Sequence, residues 1–172
     1  MSTQELSIIG RNVSVDFVGH SNDIPAKIDT GADSSAVWAS DITVDEGGVL
    51  HFYLFAKQSP FYTGKMISTD AYKVTAVRSS SGHREIRYRV TMSVRINGRR
   101  VNLKINLADR SKQKFPVLIG RRSLAGKFLV DVSKAYYRDD LKAVTMETDT
   151  LNDQLYADRY GFHIKYFVNK TE

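Results

Sequence analysis

Apolar and polar residues alternate with a period of two along most of the chain up to about residue 120, the signature of strands buried on one face. Val13, Val15 and Phe17 fall on one side of residues 13–18, and "IPAKI" leads directly into Asp29. "VLHFYLFA", residues 49–56, is aromatic-rich and strand-like. "YKVTAVRS" and "REIRYRVTMSVRI", residues 72–79 and 84–96, flank the small polar "SSGH", which reads as a hairpin. Asn97-Gly98 is the two-residue turn that hairpins favour, because both residues accept positive φ, and it joins "TMSVRI" to "RVNLKINL". "FPVLIG" is one more short apolar run.

Helical periodicity is sparse before residue 121. "RRSLAGKF" allows a short helical turn, "SKAYYRDDLKAV" and "TLNDQLYADRY" allow helices, and "FHIKYFV" reads as a strand. The pattern therefore predicts a mainly β protein. A compact barrel would occupy residues 1–137, with an insertion near 43–71, and residues 138–172 would form a C-terminal extension.

The 172 residues suffice for one domain with a real core, and 42% hydrophobic with 26% charged residues is ordinary for a globular protein. The absence of cysteine removes disulfides, thiolate metal sites and thiol nucleophiles. The N-terminal stretch has no basic start, and no run approaches the roughly 20 apolar residues of a membrane helix. A cytoplasmic protein without a membrane partner is expected. The net charge of +6 gathers in "RSSSGHREIRYR", "NGRR", "RSKQK" and "GRR". No nucleic-acid-binding motif accompanies it, so a solvated basic face or an acidic peptide partner accounts for it better than DNA or RNA.

The chemistry centres on "AKIDTGADSSAVW". An apolar run ends in a carboxylate, Asp29, followed by a hydroxyl, Thr30, and by Gly31, which permits a tight turn. Thr30 is positioned to bond neighbouring backbone and lock the loop, and Gly31 lets a substrate backbone approach. A strand followed by an ordinary turn has this pattern, and so does one half of an acid–base pair. Two carboxylates in contact share one proton, so one member activates water while the other polarises a carbonyl. The chain holds a single Asp-Thr-Gly and no Asp-Ser-Gly. The second aspartate must then come from a second copy, which makes the expected species a C2 homodimer. A metal enzyme is a rival reading, but His20, His51, His83 and His163 are scattered and form no His-Glu-x-x-His motif. No phosphate-binding Gly-x-x-x-x-Gly-Lys-Ser/Thr loop is present either, so neither metal nor cofactor is expected. Asp109 and Arg110 in "LADRSKQKF" read as a local ion pair, and Trp38 with the "AYY" tyrosines as packing residues of the core or a dimer interface.

Together "DTGAD", the hairpin "INGRRVNLKI" and "FPVLIGRRSLAGKF" resemble the retropepsins, the single-domain dimeric aspartic peptidases of retroviral type. The spacing of "KIDTGA", "SSSGHREIRYRV" and "LADRSKQKFPVLIGRRSLAGKFLVDVSKAY" is also similar to the bacterial and archaeal retropepsin-like family labelled ATP-dependent zinc proteases, some of which are encoded beside or fused to ATP-grasp glutamate ligases. The resemblance implies a closed β-barrel of acid-protease type, with one short helix after "LIGR". Asp29, Thr30 and Gly31 would be catalytic, and Ala32 and Asp33 would receive the substrate backbone. Ser80, Ser81 and Gly82 would form the tip of a substrate-covering flap. Leu118, Ile119 and Gly120 would cross behind the catalytic loop, and Arg121 would brace Asp33. The implied activity is that of a homodimeric aspartic endopeptidase on peptide or protein substrates. Two alternatives stay open: a non-catalytic peptide-binding or dimerisation module, and a peptidase that trims glutamate tails. Arg84, Arg87 and Arg89 on the flap arms hint at acidic substrates.

Overall fold

The computed structural model describes residues 5–78, 84–137 and 141–168. Chain contacts divide it into two units, residues 1–137 and 138–172.

Among the described residues the first unit has eleven strands. They are β1 (Ser7–Gly10), β2 (Asn12–Phe17), β3 (Ser21–Asp29), β4 (Ser35–Val44), β5 (Leu50–Leu54) and β6 (Met66–Thr69), then β7 (Tyr72–Arg78), β8 (Arg84–Ile96), β9 (Arg99–Ala108), β10 (Val117–Gly120) and β11 (Phe128–Asp131). The short helix α1 (Arg121–Leu124) follows β10 directly. Six strands close into a barrel in the order β10, β3, β2, β8, β9 and β4, with β4 pairing back onto β10. Full closure leaves the core strands no free edge.

Alternation dictates which residues fill the barrel. Val15 and Phe17 of β2, Ile24 and Ala26 of β3, Val94 and Ile96 of β8 and Ile105 of β9 are fully buried. A barrel this small is filled by its own side chains. Val117 and Ile119 of β10 are likewise fully buried. The Phe17 and Phe55 rings meet edge to face with centroids 6.4 Å apart. The Asn97-Gly98 turn takes φ of 50° and 75°, and Ile96 pairs with Arg99 across it.

Two strands run on beyond the barrel. β4 pairs with β9 through Ser35–Trp38 and then with β5 from Ala39 onward, so residues 43–71 supply β5 and β6 as an antiparallel ribbon on β4. The first half of β8 leaves the barrel to pair with β7 over seven residue pairs, from Tyr72 with Val90 to Arg78 with Arg84. The turn between these arms, with Ser80, Ser81 and Gly82, lies outside the described residues. β1 and β11 form a separate parallel pair, in which Ile8 stands beside Leu129.

The second unit contains α2 (Leu141–Ala157), α3 (Arg159–His163) and a π-helical turn at Ile164–Val168. The strand expected for "FHIKYFV" is therefore a helix. A lone strand has no partner for its backbone groups, whereas a helix satisfies them within the segment. Helical spacing also brings rings four residues apart together: Phe162 with Tyr166 at 4.5 Å and His163 with Phe167 at 5.6 Å. Asp158 caps α3 by accepting from the Gly161 amide at 2.9 Å. Among the described residues no helix is long and apolar enough to cross a membrane.

Barrel closure and ribbon packing contribute very unequally to stability. Ile119→Ala removes a fully buried side chain from the closing strand and should cost about 2–5 kcal/mol. Val74→Ala, on the 63% exposed side of the β7–β8 ribbon, should stay within about 0.5 kcal/mol. Urea unfolding of the two variants is the check; equal midpoints would contradict this assignment of the core.

Candidate active site

Asp29 is the last residue of β3, and the chain leaves the barrel there as the loop 30–34. Behind that loop β10 lies parallel to β3 and antiparallel to β4. Gly120 stands opposite Asp29, and Leu118 is opposite both Lys27 and Ala36. The loop is thus a bridge between two strands held apart by a third. Ile119 points into the core, while Leu118 is half-buried and lines the cleft over the loop.

The carboxylate itself organises the loop. Asp29 Oδ1 accepts from the amides of Gly31 and Ala32, each at 3.1 Å. Oδ2 makes no hydrogen bond among the described residues, and the side chain is half-buried. Thr30 is exposed, and its hydroxyl makes no hydrogen bond among the described residues. The locking role expected of Thr30 falls instead to Ser35, which the sequence reading missed. The fully buried Ser35 hydroxyl accepts from the Gly120 amide at 3.1 Å and lies 2.7 Å from Ser123 Oγ on α1. The Ala32 carbonyl accepts from the Arg121 amide at 2.8 Å, which ties the loop to the start of α1.

The two glycines behave differently. Gly120 is required by crowding: a Cβ there would lie 2.6 Å from the Ser34 carbonyl atoms and 2.9 Å from the Ala32 oxygen. Gly31 does not have positive φ, and a Cβ there would meet only Asp29 Oδ1 at 3.4 Å. The fold accepts a side chain at Gly31. What the glycine provides is clearance above the carboxylate.

Asp33 Oδ1 pairs with Arg121, and its Oδ2 lies 3.8 Å from Arg122. All three side chains are more than half exposed, so the ion pairs orient more than they stabilise. Gly31, Asp33 and Ser34, with Arg87, Arg110 and Arg121, line a cleft of about 440 Å³ between the loop and the β7–β8 ribbon. The three arginines of β8 expected to face an acidic substrate divide. Arg87 faces the cleft, but Arg84 is not among its lining residues. Arg89 is held internally by Asn106 at 2.9 Å, Thr75 at 3.2 Å and Ser34 at 3.3 Å, so it braces the ribbon against the loop. Arg110 does not pair with Asp109. It donates through Nε to the Phe115 carbonyl at 3.1 Å, while Asp109 accepts from the Ser111 amide. Burial lowers the proton affinity of Arg110, Arg87 beside it lowers it further, and Asp29 opposes both.

Among the described residues no three histidine or acidic side chains converge as metal ligands. His51 bridges Asp45 and Ser68 at 2.9 and 2.8 Å, away from the cleft, and holds the β5–β6 ribbon to its turn. Trp38 packs partly buried against the core, whereas Tyr136 is largely exposed.

Gly120→Ala should destabilise by about 1–3 kcal/mol, because neither carbonyl can retreat without moving the loop, whereas Gly31→Ala should melt within a degree or two of the parent. Thermal melts of both variants measure the contrast, and the reverse order would show that the loop is not seated as described.

Known proteins supply an independent comparison. A "Probable alpha-L-glutamate ligase" of Parasynechococcus marenigrum (strain WH8102) is 24% identical over 152 residues, covering 87% of this chain and 32% of the ligase. A protein of the same description from Shewanella pealeana (strain ATCC 700345 / ANG-SQ1) is 26% identical over 116 residues, 66% of this chain and 25% of its own length. The chain thus spans about a third and a quarter of these curated relatives. Among solved structures, Lpg0085, a protein of unknown function from Legionella pneumophila, shares the fold. Its TM-score is 0.60 at 23% identity, over 77% of this chain and 98% of that one. The family model described as "Retropepsin-like aspartic endopeptidase RimB" matches residues 8–140, the whole barrel with its catalytic-type loop, and the chain belongs to this RimB-like family.

Proposed function

We propose that the protein is a homodimeric aspartic endopeptidase in which Asp29 and its symmetry mate activate water for peptide hydrolysis. The observation that carries this is the seating of Asp29: a carboxylate at a strand end, with one oxygen fixed by two amides and the other without a hydrogen bond among the described residues. A single chain offers one such carboxylate, because Asp33 is engaged by Arg121.

Two such carboxylates brought together on a two-fold axis hold one proton between them and titrate as a unit. The ionised member takes a proton from water as the water oxygen attacks the scissile carbonyl carbon. The protonated member gives its proton to the carbonyl oxygen, forming a gem-diol. Collapse breaks the C–N bond, with a proton passing to the leaving amine. Gly31 leaves room for the substrate backbone, Ala32 and Asp33 receive it, and Arg121 holds Asp33. The β7–β8 ribbon acts as the flap, with Ser80, Ser81 and Gly82 at its tip. No metal or cofactor enters this chemistry.

A second reading concerns the substrate. The curated relatives are described as glutamate ligases, and the cleft is lined by arginines, which favours a peptidase that removes glutamate tails over one of broad specificity.

Asp29→Asn should abolish peptide-library cleavage, by at least about 10³-fold, without lowering the melting temperature, and chelators should leave the parent's activity unchanged. Specific activity should also fall on dilution below the dimer's dissociation constant. Cleavage that survives Asp29→Asn but is lost with chelator would replace this mechanism with a metal-dependent one. A non-catalytic binding module would show saturable peptide binding and no cleavage by either protein.

A further inference from the structure

The cleft wall contains an arrangement that is unfavourable unless an anion joins it. Arg87 and Arg110 line the same cleft, close enough for Arg87 to disfavour the charge on Arg110. Arg110 is half-buried, fixed through Nε to the Phe115 carbonyl, and no carboxylate pairs with it among the described residues. Arg87 reaches the exposed Glu85 through Nη2 at 2.5 Å, but its Nε is buried with no partner. A buried unsatisfied donor is uncommon and costly, and one on a cation beside a second cation is more so. Arg121, which lines the same cleft, has Asp33, and Arg89, outside its lining, has three internal partners.

We propose that Arg87 and Arg110 form a carboxylate-binding subsite beside Asp29 that selects substrates carrying an acidic group next to the scissile bond. The inference rests on the peptidase reading for its consequence, but not for the binding itself. A carboxylate between two planar guanidiniums accepts from the N–H groups they leave unpaired toward the cleft and offsets the repulsion between them. Arg78, exposed at the rim of the same cleft, adds positive potential that draws the anion in. The fixed Arg110 makes the subsite preorganised, so recognition entails little side-chain ordering. Either a glutamate or aspartate side chain or the α-carboxylate of a chain end has the required chemistry. The choice between them decides whether the enzyme cuts within acidic stretches or close to a C-terminus.

The test uses three peptides of one sequence: an internal Glu with an amidated end, an internal Gln with a free end, and an internal Gln with an amidated end. The full chain, Arg110→Gln, Arg87→Gln and Arg110→Lys are compared for kcat/KM by mass spectrometry. The same peptides are titrated calorimetrically into Asp29→Asn and Asp29→Asn/Arg110→Gln. The parent should prefer one carboxylate-bearing peptide over the doubly neutral one by about 10–100-fold, and Arg110→Gln or Arg87→Gln should remove most of that ratio. Arg110→Lys, which keeps the charge without the fork, should restore only part of it. Arg84→Gln, outside the cleft, should leave the ratio unchanged. Preference for the Glu peptide identifies a side-chain subsite, and preference for the free end a terminal one. Equal loss on all three peptides, or a ratio that persists in Arg110→Gln, overturns the proposal. Should no peptide be cleaved, the calorimetry still decides. Carboxylate-dependent binding lost with Arg110 upholds the subsite while the peptidase reading fails, and carboxylate-independent binding sinks the subsite alone.

Discussion

The contact on which the site depends is the one between Gly120 and the carbonyls of Ala32 and Ser34. β10 can lie between β3 and β4 only if the loop joining them passes directly over its end, and that passage leaves no space for a Cβ. Once β10 is seated, the remaining geometry follows. Gly120 stands opposite Asp29, its amide reaches Ser35, and the Arg121 amide reaches Ala32. α1 then begins beneath the loop, with Ser123 placed against Ser35. One close backbone approach thereby converts three strand ends into a rigid frame for a single carboxylate. The frame is anchored in the core, because Val117 and Ile119 on β10 are fully buried. A site on a packed strand end is held more precisely than one on a free loop.

Much of the barrel was legible in the sequence because half-buried strands carry their own period. Val13, Val15 and Phe17 mark the face of β2 that is buried, and Asn97-Gly98 marks the only φ combination that suits its turn. The "DTG" and "LIGR" stretches were legible as motifs, and their register across β3 and β10 follows from strand direction and length. What the sequence withheld were features that depend on distant partners. Ser35 is one of several serines, and only its burial against Gly120 and Ser123 gives it a role. Arg110 sits next to Asp109, and proximity in sequence suggested a pair that the strand end turns apart. "FHIKYFV" has the composition of a strand, but composition does not supply a neighbour to bond with.

The electrostatics of the cleft are set by how each arginine is held rather than by their number. A net charge of +6 spread over a surface steers acidic partners weakly and without address. Inside the cleft, Asp33 neutralises Arg121, and Glu85 partly neutralises Arg87. Arg89 is consumed by neutral acceptors. That leaves Arg110 as the half-buried cleft cation without a carboxylate partner among the described residues, with Asp29 favouring its charge from nearby. The charge on Arg110 is thus disfavoured by burial and by Arg87 and favoured by Asp29.

This coupling gives the β7–β8 ribbon a mechanical meaning. Arg89 fastens the ribbon's root to Ser34 on the loop and to Asn106 on β9, while the side chains beyond it toward the tip, Ile86 and Arg84, are exposed. The ribbon is therefore hydrogen-bonded where it meets the loop and lightly packed where it leaves the barrel. Arg87 lies between these regimes, two residues from the fixed root, with its Nε buried and unpaired. An anion bound there would join the ribbon to Arg110 on the barrel wall. Closure over the cleft and recognition of a carboxylate would then be the same event, and a substrate without the carboxylate would meet a ribbon with no reason to close.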